Sequence, residues 1–193
     1  MESGKLGSGK RLPTLMLCTA KYLEEPSGDS PGCVEITYPN GSTGRTDDAD
    51  AADRLSAYLG RAVTLESSDG EHFDDLTLSM QTSASIQTLR EMMPESEIEH
   101  RRFRHNFSIR CTDGIDGLPE TRWIGKSITV GDVVMDVVKP IRRCTMVSAP
   151  QPGLSGDQSI LKTILEKAER CVGVYATAVT GGIVRVGDRV EMT

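Results

Sequence analysis

One short pattern occurs twice in this chain and limits the folds open to it. Ile128-Thr129-Val130-Gly131-Asp132-Val133-Val134 and Val184-Arg185-Val186-Gly187-Asp188-Arg189-Val190 share the form apolar, any residue, Val-Gly-Asp, any residue, Val. Each reads as a strand, a polar glycine turn and a returning strand, and paired units of this kind suit a β-barrel. The pattern is too short to be an internal repeat. It implies one hairpin device used twice, with strands expected over 123–130, 133–138, 183–186 and 189–192.

The other elements fit around these. Leu12 to Tyr22 alternates like a strand, and Cys33 to Tyr38 reads as a second, closed by Pro39-Asn40-Gly41, since Asn-Gly supplies the positive φ a tight hairpin needs. A helix starts near Thr46-Asp47-Asp48 with Ala51, Leu55, Tyr58 and Leu59 as its apolar stripe, and Gly60 stops it. A short strand is expected over 61–66, with polar loops over 21–31 and 67–75. Leu76 to Met80 is a strand, and Thr82-Ser83-Ala84-Ser85 opens a helix that Pro94 limits. Hydroxyls there cap free N–H groups, which could instead hold a phosphate. A last helix carries Ile160, Leu161, Ile164, Leu165 and Ala168 on one stripe, and 173–179 resumes as a strand. The fold class expected is mainly β with a few helices (α+β).

The chemistry concentrates in Lys139-Pro140-Ile141-Arg142-Arg143-Cys144. Pro140 should end the regular ladder, because it has no N–H to donate and its φ is fixed. Cys144 then lies just past a strand beside two permanent cations. Cations lower a thiol's pKa, and the thiolate is the nucleophile and the soft metal ligand. The plainer alternative is a small buried hydrophobe. Cys171, among apolar neighbours, is read as core.

The densest positive charge is His100-Arg101-Arg102-Phe103-Arg104-His105-Asn106, ahead of a strand over 107–110. It is either a basic strand edge balanced by Glu95, Glu97 and Glu99 or an anion pocket, because a guanidinium fork matches a phosphate. Arginines so close also allow RNA binding, against which stands the net charge of −6. With 37% hydrophobic and 4% aromatic residues in 193, the chain has the composition of a globular protein of one or two domains. No apolar run is long enough to span a bilayer, and the Gly/Ser/Lys-rich opening lacks the centre of a secretory signal. Five widely spaced cysteines form neither a zinc pattern nor an even disulfide set. A reducing, cytoplasmic setting is expected, with neither nucleic acid nor membrane as partner.

Taken in order, Thr82-Ser83-Ala84-Ser85, Arg102-Phe103-Arg104-His105-Asn106, Trp123-Ile124-Gly125-Lys126, Val130-Gly131-Asp132, Arg143-Cys144, Gly173-Val174-Tyr175 and Val186-Gly187-Asp188 resemble the MOSC family, the molybdenum cofactor sulfurase C-terminal domain, which includes the amidoxime reducing component. The resemblance implies a MOSC β-barrel over 71–193, preceded over 1–70 by a partial version of the family's N-terminal β-barrel-like region. It implies that Cys144 binds molybdenum or carries sulfur, and that Arg104 and Asn106 hold the pterin and phosphate of the molybdenum cofactor (molybdopterin). Arg142 and Arg143 would offset negative charge there, and Thr82 is a further cofactor-binding candidate. Pyridoxal phosphate binding is an association at the level of the family.

Three departures from the family pattern stand out. His105 occupies the position of a proline, and Arg142 that of a small or proline residue two positions before the cysteine. The cofactor-binding lysine, serine and arginine of the family's opening strands have no counterpart upstream of Lys10-Arg11, as expected of a shortened protein or a fragment, and a barrel edge could be left unpaired. Three functions follow. The first is a molybdenum-cofactor protein, as an oxidoreductase reducing N-hydroxylated compounds with electrons from another protein. The second is a sulfur carrier loaded at Cys144 by a cysteine desulfurase. The third is a degenerate barrel kept as a binding module.

Overall fold

Residues 133–142 alternate between the interior and the surface, with Val133, Met135, Val137 and Ile141 buried. This period of two makes the segment the spine of a sheet. The computed structural model describes residues 7–24, 27, 32–66, 75–112 and 114–192. The expected loops over 21–31 and 67–75 lie largely outside these, as does most of the Gly/Ser/Lys-rich opening. By contacts the chain divides into two units, Met1–His72 with Ala149–Gly156, and Phe73–Ser148 with Asp157–Thr193.

In the first unit, β1 (Thr19–Tyr22), β2 (Val34–Thr37) and β3 (Thr43–Arg45) form an antiparallel sheet in that order. The β2–β3 turn uses Gly41 at φ 83°, and the Asn40 Oδ1 accepts the Ser42 N–H at 3.0 Å. Helix α1 (Ala51–Leu59) ends at Gly60 in the left-handed conformation, as expected of a C-terminal glycine. The edge of the Tyr38 ring meets Tyr58 at 5.3 Å between centroids, and the Tyr58 hydroxyl donates to the Thr14 carbonyl at 2.9 Å.

The second unit holds a mixed six-stranded sheet ordered β5-β4-β8-β7-β6-β9. Its strands are β4 (Leu78–Thr82), β5 (Phe107–Ile109), β6 (Ser127–Val130), β7 (Val133–Arg142), β8 (Cys171–Ala178) and β9 (Val190–Met192). Only β4 and β5 run parallel. The sheet curls as a half-barrel, so the α+β class expected from the patterning is the class found. Met80, Ile128, Met135, Val137 and Val174 fill its concave core. A second core lies where α2 (Ser83–Met92) and α3 (Gln158–Lys167) bring Ile86, Leu89, Ile160 and Ile164 against Phe103 and Val147. No helix among the described residues is long and apolar enough to cross a membrane.

Several local expectations are corrected. Pro140 does not end its strand: β7 continues to Arg142, with register shifts between Val137 and Lys139 and between Pro140 and Arg142. Such irregularities are what let a residue without an N–H sit in a sheet. Residues 13–17 form a 3-10 turn rather than a strand, started by Pro13, whose fixed φ suits a first helical position. Pro119–Trp123 is likewise a 3-10 turn, and 61–66 is irregular.

The two Val-Gly-Asp units also part company. Val130↔Val133 closes a tight hairpin through Gly131, whereas 183–186 forms no strand. There the Asp188 carboxylate accepts the Arg185 N–H at 2.7 Å and the Asp188 N–H returns to the Arg185 carbonyl at 3.1 Å. That second turn folds over the first. A Cβ on Gly131 would stand 2.6 Å from the Asp188 Oδ2 and 2.7 Å from the Ile183 carbonyl.

Candidate functional site

Cys144 follows the end of β7 by two residues. Arg142 pairs in register with Cys171 at the start of β8, and the Arg143 N–H donates to the Arg170 carbonyl at 2.8 Å. The Cys144 carbonyl accepts the Val147 N–H at 3.2 Å and so opens a 3-10 turn over Thr145–Ser148. The thiol is therefore held between a strand end and a turn, and Cys144 is half-buried. Arg142 beside it is exposed.

Arg143 reaches across forty residues of sequence. Its Nη2 donates to the Phe103 carbonyl at 2.7 Å, and its guanidinium carbon lies 5.3 Å from the centre of the Phe103 ring. A hydrogen bond and a cation–π contact on one cation fix the 103–105 turn beside the Cys144 segment. Arg104 sits at φ 54°, a left-handed conformation uncommon for a residue with a Cβ, and its side chain is exposed.

His105 stacks on Phe103 at 6.4 Å and 16°. It presses on Gly173, where an added Cβ would meet the His105 Cε1 at 2.4 Å and the Met80 carbonyl at 2.7 Å. Gly173 is therefore glycine for reasons of space as well as its φ of 79°. Burial, with the Arg143 charge adding to it, pushes the His105 pKa down to about 3. Neither ring nitrogen has a hydrogen-bond partner among the described residues.

The remaining predicted residues have hydrogen-bond partners within the fold. The Asn106 Oδ1 accepts from the Ser79 N–H at 2.9 Å and the Ser79 hydroxyl at 2.8 Å, which ties the start of β5 to β4. Thr82 is buried and caps α2 by accepting the Ser85 N–H at 3.1 Å. Its hydroxyl donates to the Glu120 Oε2 at 2.8 Å, and the Ser85 hydroxyl meets both carboxylate oxygens of Glu120 at 2.6 Å. Arg102, read in sequence as part of a surface charge cluster, is 1% exposed, and its Nε donates to the Glu97 carbonyl at 2.6 Å. Cys171 is half-buried rather than sealed in the core. Burial pushes its pKa up, against the opposing charges of Arg142 and Arg143.

Sequence reasoning passed over Glu120 and named Gly173 only within the Gly173-Val174-Tyr175 motif. For Glu120 the signal was its place after Pro119 at the start of a helical turn. For Gly173 it was a glycine inside a strand, which marks a close approach. Among the described residues no three His, Cys, Asp or Glu side chains converge as a metal-ligand set. Two half-buried thiols, Cys144 and Cys171, with Arg142 and Arg143 beside them are the donor set that this region offers.

These features sit on a chain that belongs to the MOSC domain family, whose model matches residues 70–191. Solved structures similar to it include YiiM from Geobacillus stearothermophilus, at 14% identity over 62% of this chain and 55% of that one, with a TM-score of 0.46. Another is described as a hypothetical protein, at 17% identity over 64% of this chain and 55% of that one, with a TM-score of 0.47. The chain thus spans about 55% of the length of either structure. No curated protein matches it in sequence.

Proposed function

We propose that this chain binds the molybdenum cofactor, with the Cys144 thiolate as its protein ligand to the metal. The observation that carries the reading is the Arg143 clamp, which brings Phe103, Arg104 and His105 to the segment that holds Cys144. The donor chemistry fits: a soft, accessible sulfur suits molybdenum, and guanidinium groups suit the cofactor's anionic parts. The bound group would supply redox chemistry of the kind that reduces N-hydroxylated compounds, with electrons from a separate electron-transfer protein.

The residues divide the work. Cys144 offers its sulfur from a rigid strand end. Arg142, exposed beside it, offsets negative charge, and Arg104 presents a second free-standing guanidinium for the phosphate end. Arg143 is a positioning residue, since its guanidinium bonds the Phe103 carbonyl and covers the Phe103 ring. Asn106 sets the start of β5 and so the direction of Arg104, and the Thr82 hydroxyl serves the α2 cap. His105, neutral at physiological pH, adds no charge of its own.

Protein produced in a host that makes the cofactor should contain molybdenum by elemental analysis, and Cys144→Ser should contain none while keeping its circular dichroism. Equal molybdenum in both, or none in the parent, would overturn the reading. The accessible thiol also supports a second reading, sulfur carriage. Incubation with a cysteine desulfurase and cysteine would then add one sulfur atom to the intact mass, and Cys144→Ser would add nothing.

A further inference from the structure

We propose that the groove between α2 and the outer edge strand β5 is a binding site for small organic anions, with a phosphate or carboxylate head and a compact apolar body. The groove has a volume of about 290 Å³. Ser83, Ile86 and Arg90 form one wall, and their spacing places them on one face of α2. The opposite wall is Ile109 and Arg110, at the end of β5, and His100 closes one end.

Three observations define the ligand. The first is charge: the lining includes Arg90, Arg110 and His100 and no acidic side chain, in a chain whose net charge is −6. The Arg90 Nε donates to the Ile98 carbonyl at 3.0 Å, which holds its fork in place with the terminal nitrogens left over. Arg110 is exposed and makes no ion pair among the described residues. A fixed cation and an uncommitted one on opposite walls of the groove suit an anion.

The second is the apolar surface of Ile86 and Ile109 between the cations, which rewards a ligand with a hydrophobic body over a bare ion. The third lies at the floor. Gln81 is 1% exposed, its Nε2 donates to the His100 carbonyl at 3.4 Å, and its Oε1 has no hydrogen-bond partner. That oxygen is an acceptor, so it favours a phosphate monoanion, whose P–OH can donate to it, over a carboxylate. The Ser83 hydroxyl accepts the Cys111 N–H at 2.9 Å, so the two walls are tied together beside Arg110.

This groove is separate from the cofactor reading. None of Cys144, Arg142, Arg143, Arg104 and Asn106 lines it, and the Thr82 hydroxyl in its wall is committed to Glu120. The test is titration of the full chain at low salt with phenyl phosphate, inorganic phosphate and phenol, followed by calorimetry. Phenyl phosphate should bind saturably at one per chain, about tenfold tighter than inorganic phosphate, with phenol showing no saturation. Arg110→Ala should weaken phenyl phosphate about tenfold, with unchanged circular dichroism because Arg110 holds no structural bond among the described residues, and Arg104→Ala should bind it as the parent does. Absence of saturable binding, or binding to Arg110→Ala as tight as to the parent, overturns the proposal. Binding weakened in Arg104→Ala places the anion at the cofactor site instead and also overturns it.

Discussion

Two polar joints hold the second unit together, and they are built on opposite terms. In the first, the Glu120 side chain lies fully buried and takes hydrogen bonds from both Thr82 and Ser85, so a polar group is placed inside the fold with its partners in place. In the second, Arg143 clasps Phe103, and His105 lies in the same layer with both ring nitrogens unpartnered. A satisfied network rigidifies, whereas an unsatisfied one costs stability and persists where the surroundings enforce it. The first joint anchors the start of α2. The second stands next to Cys144, where a chemical role would explain keeping an arrangement that stability alone does not favour.

Breaking the first joint should have the largest effect. Glu120→Ala leaves two buried hydroxyls without their acceptor and should cost about 3 kcal/mol, since two hydrogen bonds are lost and buried groups left unmatched are penalised. Urea denaturation gives the value. Thr82→Ala, which loses the cap and one bond to Glu120, should cost about half as much.

The second joint should show itself as a pH dependence. Below the ordinary histidine pKa of 6.5 the unfolded chain takes up a proton that the fold refuses until about pH 3. Stability should therefore fall as pH drops from 6.5 toward 3, at about 1.4 kcal/mol per pH unit from this group, or roughly 2 kcal/mol between pH 6.5 and 5. His105→Leu should remove that slope, and an unchanged slope would mean that His105 is not the group responsible. Arg143→Lys, which keeps the charge but loses the fork and much of the ring contact, should cost about 1 kcal/mol in the same assay.

The two joints also differ in how far they could be read in advance. The thiol, the flanking arginines and the 100–106 cluster stand out in the sequence because cations beside a cysteine in an acidic chain are conspicuous. The contact of Arg143 with Phe103 was not foreseen, since a clasp across forty residues leaves no local pattern. The Glu120 joint was missed altogether. An acid after a proline looks like an exposed helix start, and its burial depends on hydroxyls 35 and 38 residues away.

Arg102 teaches the same lesson, because a long charged side chain is expected at the surface and its bond to the Glu97 carbonyl helps to place it inside. Strand content was legible where both faces obeyed a period of two, as in β7. It failed at 183–186, where the Asp188 carboxylate offers the backbone a local alternative to a ladder.

The account turns on which joint serves the chemistry and which only the fold, and the most direct measurement is molybdenum per folded chain in three variants made in a cofactor-competent host. The expected result is none in Cys144→Ser, a marked loss in Arg143→Ala, and retention in the folded fraction of Glu120→Gln. Full molybdenum in Arg143→Ala together with its loss in Glu120→Gln would contradict the account.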